Sequence, residues 1–360
     1  MKNYRRGSAV LVALSALAPL AAAGPLAFVV DEKTQSYTIT EQGEPVLTYR
    51  FGEAPLPAGV PAPHFRKRDT PYDGAYFTDG SQYGGERSDY IYPLYGFHGE
   101  PLTADYPKDH MHHRSLWWSW CEVRRHEKIG DLWAVCKIRA YPVKITKTEA
   151  GAEAAVLQAV NAWRFDDEKS PVVNETVTIR VAKAAGQPGA RSRVVDVDVR
   201  MEALVDGVTL AGRQKVDYGG YGGMTVRLNP NVKEFSIRAV HPRPDKWRGD
   251  DLKIVERVSD PALGDAAWMA LQGKYPAAGV ETPDFTTVLM MESKATPLFP
   301  NNFRYYGSTC ISLAFPGKTF VPLAKGKPLD YKTRFVIREG KTTLEQEKAA
   351  WDAYNGGRGR

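Results

Sequence analysis

The sequence predicts an all-β protein, a large antiparallel sandwich or barrel followed by one short C-terminal helix. Three observations carry that expectation. Apolar residues recur with period two over most of the chain, the runs are short, and Gly, Pro, Asn and Asp separate them. Helical periodicity is confined to the last stretch, residues 343–354.

Residues 36–40 and 46–51 flank Gln42-Gly43 and read as a β-hairpin. Strands are then expected over 115–123, 133–141, 154–163 and 172–181, with turn-rich gaps between them. Residues 193–203 give the clearest half-buried strand, because Val195, Val197 and Val199 alternate with Asp196, Asp198 and Arg200. Residues 224–228, 285–291, 309–315 and 331–337 complete the strand set. Over 343–354, Leu344, Ala350 and Trp351 share a side, which fits a short helix before a Gly-Arg tail. Residues 55–85 are rich in Pro, Gly and Tyr without a period and read as a long ordered loop, a class that is often functional. No internal repeat is visible. The expected organisation is a leader at 1–23, one sandwich domain at 24–342, and the helix with its tail at 343–360.

The leader has the three parts of a secretory signal. Lys2, Arg5 and Arg6 precede an apolar run from Ala9 to Leu20, and Ala21 and Ala23 stand before a cleavage point after Ala23. Pro19 and the shortness of the run argue against an uncleaved anchor, and no later stretch approaches the ~20 apolar residues of a membrane span. The expectation is an exported, soluble protein, periplasmic or extracellular. Cleavage lowers the formal charge from +6 to +3 by removing those three basic residues. Arg66-Lys67-Arg68 is the densest basic group, too small for a nucleic-acid face. The three cysteines, Cys121, Cys136 and Cys310, form neither a disulfide scaffold nor a paired-cysteine zinc site. A Cys121–Cys136 bridge between neighbouring strands is compatible with export.

Most of the chemistry lies between Asp89 and Trp120. Four of the seven histidines fall between His98 and His113. Asp105-Tyr106-Pro107 interrupts any regular element, since proline lacks an N–H and restrains the residue before it. Asp109-His110-Met111-His112-His113-Arg114 therefore stands at the entry to the strand expected over 115–123. On that strand Leu116, Trp118 and Trp120 face one way and Trp117, Ser119 and Cys121 the other. One row fits a core and the other a groove, where indole faces suit sugar rings; the plain alternative is that all three tryptophans are core.

Three readings of the histidines stand side by side. His110 and His112 project to the same side and suit a metal, with Asp109 or a distant carboxylate completing the site. Alternatively, His110 or His113 acts as a general acid or base while Arg114 anchors the substrate. In the third reading the cluster only satisfies loop carbonyls and carboxylates. Substrate contacts are expected from Trp117, Trp118, His98, Asp105 and Tyr106. Asp217, in the Gly/Tyr loop 217–223, and Arg304, in the loop 301–307, are further candidates. The Gly/Tyr loop lacks the strand–turn–helix setting of a phosphate loop and fits a bulged corner as well. No cofactor is required by this set, and a divalent metal is the one that it would accept.

Tyr92-Pro93-Leu94-Tyr95-Gly96, Leu102-Thr103-Ala104-Asp105-Tyr106-Pro107 and Asp109-His110-Met111-His112-His113-Arg114-Ser115-Leu116-Trp117 resemble a bacterial family of secreted proteins, as do Asn161-Ala162-Trp163, Val195-Asp196-Val197-Asp198, Arg304-Tyr305-Tyr306-Gly307 and Lys327-Pro328-Leu329-Asp330-Tyr331. That family is catalogued as a domain of unknown function and often labelled methane oxygenase PmoA-like. The label fits poorly, because a membrane oxygenase subunit needs several spanning helices. The resemblance, over about 46–340, implies a large β-sandwich related to sugar mutarotases and some lyases, and a role in glycan breakdown. Where relatives usually carry Asp-His-Pro-x-Asn, this chain reads Glu292-Ser293-Lys294-Ala295-Thr296, which implies a different substrate or an inactive site. The function expected is an exported carbohydrate-active enzyme of hydrolase, lyase or epimerase type. A non-catalytic carbohydrate-binding protein and a structural cell-envelope protein are the alternatives.

Overall fold

The computed structural model describes residues 25–56, 86–107, 110, 112–214, 219–241, 253–255, 262–265, 267–279, 284–306 and 309–356. The leader at 1–23 and most of the 55–85 loop lie outside them. Among the described residues the strands, numbered in chain order, form three antiparallel sheets, none of them closed. The first sheet runs β1 (Leu26–Asp31), β2 (Ser36–Glu41), β3 (Glu44–Arg50), β4 (Tyr90–Leu94), β5 (Leu116–Trp120), β13 (Gly222–Arg227), β20 (Cys310–Ala314), β19 (Asn302–Tyr306), β16 (Ala262–Asp265). The second runs β15 (Lys253–Val255), β14 (Lys233–His241), β17 (Trp268–Lys274), β18 (Phe285–Glu292), β22 (Leu329–Glu339), β11 (Ser192–Ala203), β10 (Val173–Ala182), β9 (Ala154–Phe165), β8 (Ile138–Ala150). A small third sheet runs β21 (Val321–Leu323), β12 (Val208–Ala211), β6 (Glu122–Arg125), β7 (Lys128–Gly130).

The two large sheets share one core. Leu47, Leu116, Trp120 and Met224 of the first bury against the same cluster as Leu157, Trp163, Val197 and Phe335 of the second. Removing this apolar surface from water drives the pairing of the sheets. The expected sandwich is thus observed, and the barrel is not. Strands β9, β10 and β11 alternate buried and part-exposed residues, as period two requires. The first hairpin is as expected, with Gln42 and Gly43 at φ of 54° and 87°, the left-handed positions of a tight turn.

Several expectations are corrected. Residues 115–123 are two strands, not one: β5 stays in the first sheet, and after Cys121 the chain passes into β6 of the third. Residues 133–137 are a turn, with Val135 and Lys137 at positive φ, and β8 begins only at Ile138. The 301–307 loop instead contains β19, paired with β20. Strand β4 is unexpected because Pro93 removes a donor, and the β3–β4 register shifts beside it. Strand β17 shows no alternation because both of its faces are buried, one in the core and the other under the helix.

That helix, α1 (Leu344–Asn355), packs Trp351 against Trp268, with ring centroids 5.7 Å apart. Leu344, Ala350 and Tyr354 lean on the same cluster. Thr343 caps the helix reciprocally with Gln346. Thr343→Ala is expected to lower stability by about 1 kcal/mol, read as an earlier urea midpoint with an unchanged slope. Among the described residues no helix is long and apolar enough to cross a membrane.

Candidate functional site

The centre of the first sheet is buried on both faces, unlike a sandwich face left to solvent. Alternation along β5 sends Leu116, Trp118 and Trp120 into the inter-sheet core, while Trp117 and Cys121 join a separate outer cluster with Tyr90, Trp133 and Cys310. Antiparallel register carries the outer row across four strands, from Trp117 to Thr225 to Ser312 to Arg304. Three strand spacings set Arg304 roughly 14 Å from Trp117 at the backbone. The Gly-rich corner at 219–223 brings Tyr221 over this face, 5.2 Å from the Trp133 ring. At Gly223, φ is 80° and a Cβ would approach the Leu313 carbonyl to 2.5 Å, so only glycine fits the corner.

The histidines sit on a tight turn, with the His110 N–H donated to the Pro107 carbonyl and the His113 N–H to that of His110. The turn stacks His110 on His113 at 4.6 Å between ring centroids, with His112 edge-on to His113 at 4.4 Å. His113 in turn meets Trp117 at 5.6 Å and Trp133 at 5.8 Å. Burial, with neighbouring imidazoles and Arg227, pushes both His112 and His113 well below the usual histidine range; Arg87 and Arg114 add to the effect on His112. Both rings are therefore neutral at pH 7. His112 as a residue is half-buried, but its Nδ1 is shielded from solvent. His113 is 4 % exposed, and its Nδ1 has no partner among the described residues.

Arg114 is 1 % exposed and lies in a cage. It pairs with Asp105 at 3.3 Å, stacks over the Tyr106 ring, faces the Tyr90 ring and donates to the Tyr106 hydroxyl. Tyr90 donates its hydroxyl to Asp105 at 3.0 Å. Burial pushes the Asp105 carboxyl up, against the opposing pull of Arg114 and Tyr90.

Two charged groups that the sequence reading did not name border the cluster. Arg87 donates to the Trp133 carbonyl at 3.1 Å, and burial brings its pKa down to about 10. Asp131 opens the turn that carries Trp133, accepts from the Ala134 N–H and pairs with Arg213 at 3.4 Å. Burial pushes Asp131 up to about 6. On the inner side of the first sheet, Asp89 meets Glu175 of the second. Trp118 gives its one indole N–H to both, at 3.1 and 3.3 Å. Tyr49 donates to Asp89 at 2.7 Å, while Asn161 and Trp163 donate to Glu175 at 3.3 and 3.0 Å. Burial drives both carboxyls up, and the charge of Asp89 adds to the rise at Glu175, which stands well above its usual range. The adjoining cavity of about 20 Å³ has room for one water molecule and none for a sugar. Period two places Glu175 in the inward row of β10 with Val173, Val177 and Ile179, whereas Asp89 looks like an ordinary strand-end residue until the sheets are stacked.

The structure therefore brings together His110, His112, His113, Arg114, Trp117, Asp105 and Tyr106. It separates the others. Trp118 belongs to the core, because its strand parity turns it inward. His98 pairs with Glu339 at 3.1 Å and lines a different cavity, since the turn after β4 points it away from the histidine turn. Arg304 stands at the far end of the outer row. Asp109 and Asp217 lie outside the described residues. No disulfide joins the cysteines: Cys136 sits on the 133–137 turn and not on a strand beside Cys121. The His110 and His112 rings are 5.7 Å apart, and among the described residues no group of three His, Cys, Asp or Glu is placed to hold a metal. At the departure from the relatives' motif, Glu292 is buried and accepts both the backbone N–H and the side-chain amide of Asn301.

No curated protein and no solved structure matches the chain. Residues 36–352 match the model of a family of unknown function, DUF6807, and the chain belongs to that family.

Proposed function

We propose that this is an exported carbohydrate-active enzyme that cleaves or rearranges a sugar by proton abstraction, a lyase- or epimerase-type reaction with an imidazole of the 110–113 turn as base. The observation that carries the reading is the three-imidazole stack, with His112 and His113 neutral, among Arg87, Arg114 and Arg227. A neutral imidazole accepts a proton, and guanidinium groups stabilise the anion that its removal leaves on the sugar. His110 or His113 takes the proton. Arg114 holds the tyrosine cage in place, and Asp105, Tyr106, His110 and Tyr221 are the half-buried side chains of the cluster, open in part to an incoming ligand. Hydrolysis by two opposed carboxyls has less support. Asp105 is gripped by Arg114, and the Asp89–Glu175 pair adjoins no space for a sugar. The membrane-oxygenase label plays no part in this reading.

The burial of His113 and Arg114 favours a second reading, in which the cluster is a clamp tying the histidine turn to the sheet. Purified protein with His110→Ala or His113→Ala, offered a panel of neutral and uronate-containing oligosaccharides, separates the two. The enzymatic reading expects unsaturated or epimerised product from the wild type and about 10²–10⁴-fold slower turnover in the variants. Unchanged turnover, or a loss of thermal stability with no product from any form, would leave the clamp.

A further inference from the structure

A second cavity lies at the turn end of the sandwich, between the β2–β3 hairpin, the turn after β4 and the β10–β11 connection. It measures about 480 Å³, within the range of small-ligand sites, and no residue of the 110–113 turn lines it. Its walls carry Phe97, His98, Lys183, Arg191, Arg193 and Glu41. Both guanidinium groups pack against the Phe97 ring, at 4.7 and 4.6 Å from its centroid, which fixes their planes.

The hydrogen-bond account of this cavity leaves donors in excess. Glu41 spends one oxygen on the Ala184 N–H at 3.0 Å and the other on Arg193 at 2.6 Å. Glu339, just behind the wall, spends one oxygen on the Arg191 side chain at 2.6 Å, with His98 close by, and the other on the Arg191 N–H at 2.9 Å. Arg193 is 6 % exposed, and its Nε has no acceptor among the described residues; the buried Nε of Arg191 has none either. Lys183 has only a distant contact with Glu153 at 3.9 Å, and its side chain is 44 % exposed. A guanidinium offers five N–H groups in a planar fork that matches an oxyanion. Glu44 and Gln42, on the same wall, are left for hydroxyl groups.

We propose that this cavity binds an oxyanion — carboxylate, sulfate or phosphate — carried on a polar molecule of monosaccharide size. Arg191, Arg193 and Lys183 receive the charged group. The site stands apart from the histidine turn and does not rest on the activity proposed there.

Calorimetric titration of the full chain with glucuronate, glucose 6-sulfate, glucose 6-phosphate and glucose tests it. At least one acidic sugar is expected to bind about tenfold more tightly than glucose, and the tightest of the three identifies the oxyanion. Arg193→Lys keeps a charge beside Glu41 but loses the fork, and should weaken that binding about tenfold. Lys183→Met, an exposed change that leaves folding intact should the arginine variant misfold, should weaken it by up to about fivefold. His113→Ala should leave the affinity unchanged. Equal binding of glucose and the acids, no binding of any probe, or wild-type affinity in both cavity variants would overturn the proposal.

Discussion

Replacing Glu175 by alanine is expected to lower the unfolding free energy by about 3 kcal/mol or more. The carboxyl bridges the two sheets at a point where nothing else can replace it. Its loss strands the Trp163 indole N–H and an amide N–H of Asn161, and leaves Asp89 with one neighbour fewer. It also opens a void between Trp118 and Trp163, which together line the small cavity there. Chemical denaturation reads the loss directly. Glu175→Gln separates shape from charge. In the wild type the folded carboxyl holds its proton well above the ordinary value of 4.5. The folded state therefore binds more protons than the unfolded one over that window. Stability linked to Glu175 is complete below the unfolded value and falls as the pH rises through the window, by about 1.4 kcal/mol per pH unit. The glutamine variant should flatten that slope and be more stable than the wild type on the alkaline side. A wild-type and a glutamine profile that run parallel from pH 5 to 9 would show that Glu175 does not keep its proton in the folded state.

Arg114→Ala is expected to cost about 3–5 kcal/mol, because it leaves Asp105 half-buried and without its guanidinium. The tyrosine cage loses its centre at the same time. Arg114→Lys should recover little, since an ammonium cannot stack flat on Tyr106 while bonding Asp105. Asp105→Asn in the alanine background should return part of the loss by removing the stranded charge. The double-mutant cycle then measures the pair itself. Stabilities that add simply across the cycle would show that Arg114 and Asp105 act independently. The histidine turn is attached through this cage, so the variant also tests how far the turn depends on it; the ring-current shifts expected of the stacked imidazole protons should be lost on its release.

The sandwich was legible wherever one face of a strand meets water. Strands β9, β10 and β11 declare themselves by alternation because their outer faces stay partly wet, with pairs such as Asp196–Arg334 lying across them. Strand β17 is covered on both sides, so period two disappears from its sequence, while β13, covered likewise, was still expected at 224–228 from its flanking turns. The break at Cys121 was hidden for a different reason: β5 runs on into β6 with no Gly or Pro between them, although they belong to different sheets. The histidine turn was legible from composition, and so was its neighbour Arg114. The partners that set its chemistry were not. Arg87, Asp131 and Arg227 reach it through sheet register and through the 133–137 turn, which pair residues far apart in the chain.

Strand β22 lies in the middle of the second sheet, between β18 and β11, with Ser192 opposite Arg338 and Thr286 opposite Glu339. Among the described residues, strands β8 to β11 and strands β14, β15, β17 and β18 are joined into one sheet only through it. A nascent chain that has not yet delivered Glu339 thus holds two unjoined ribbons, each with an open edge. Assembly must wait for β22 to arrive, and the slow closure of such distant pairings governs how long those edges stay available to the wrong partner.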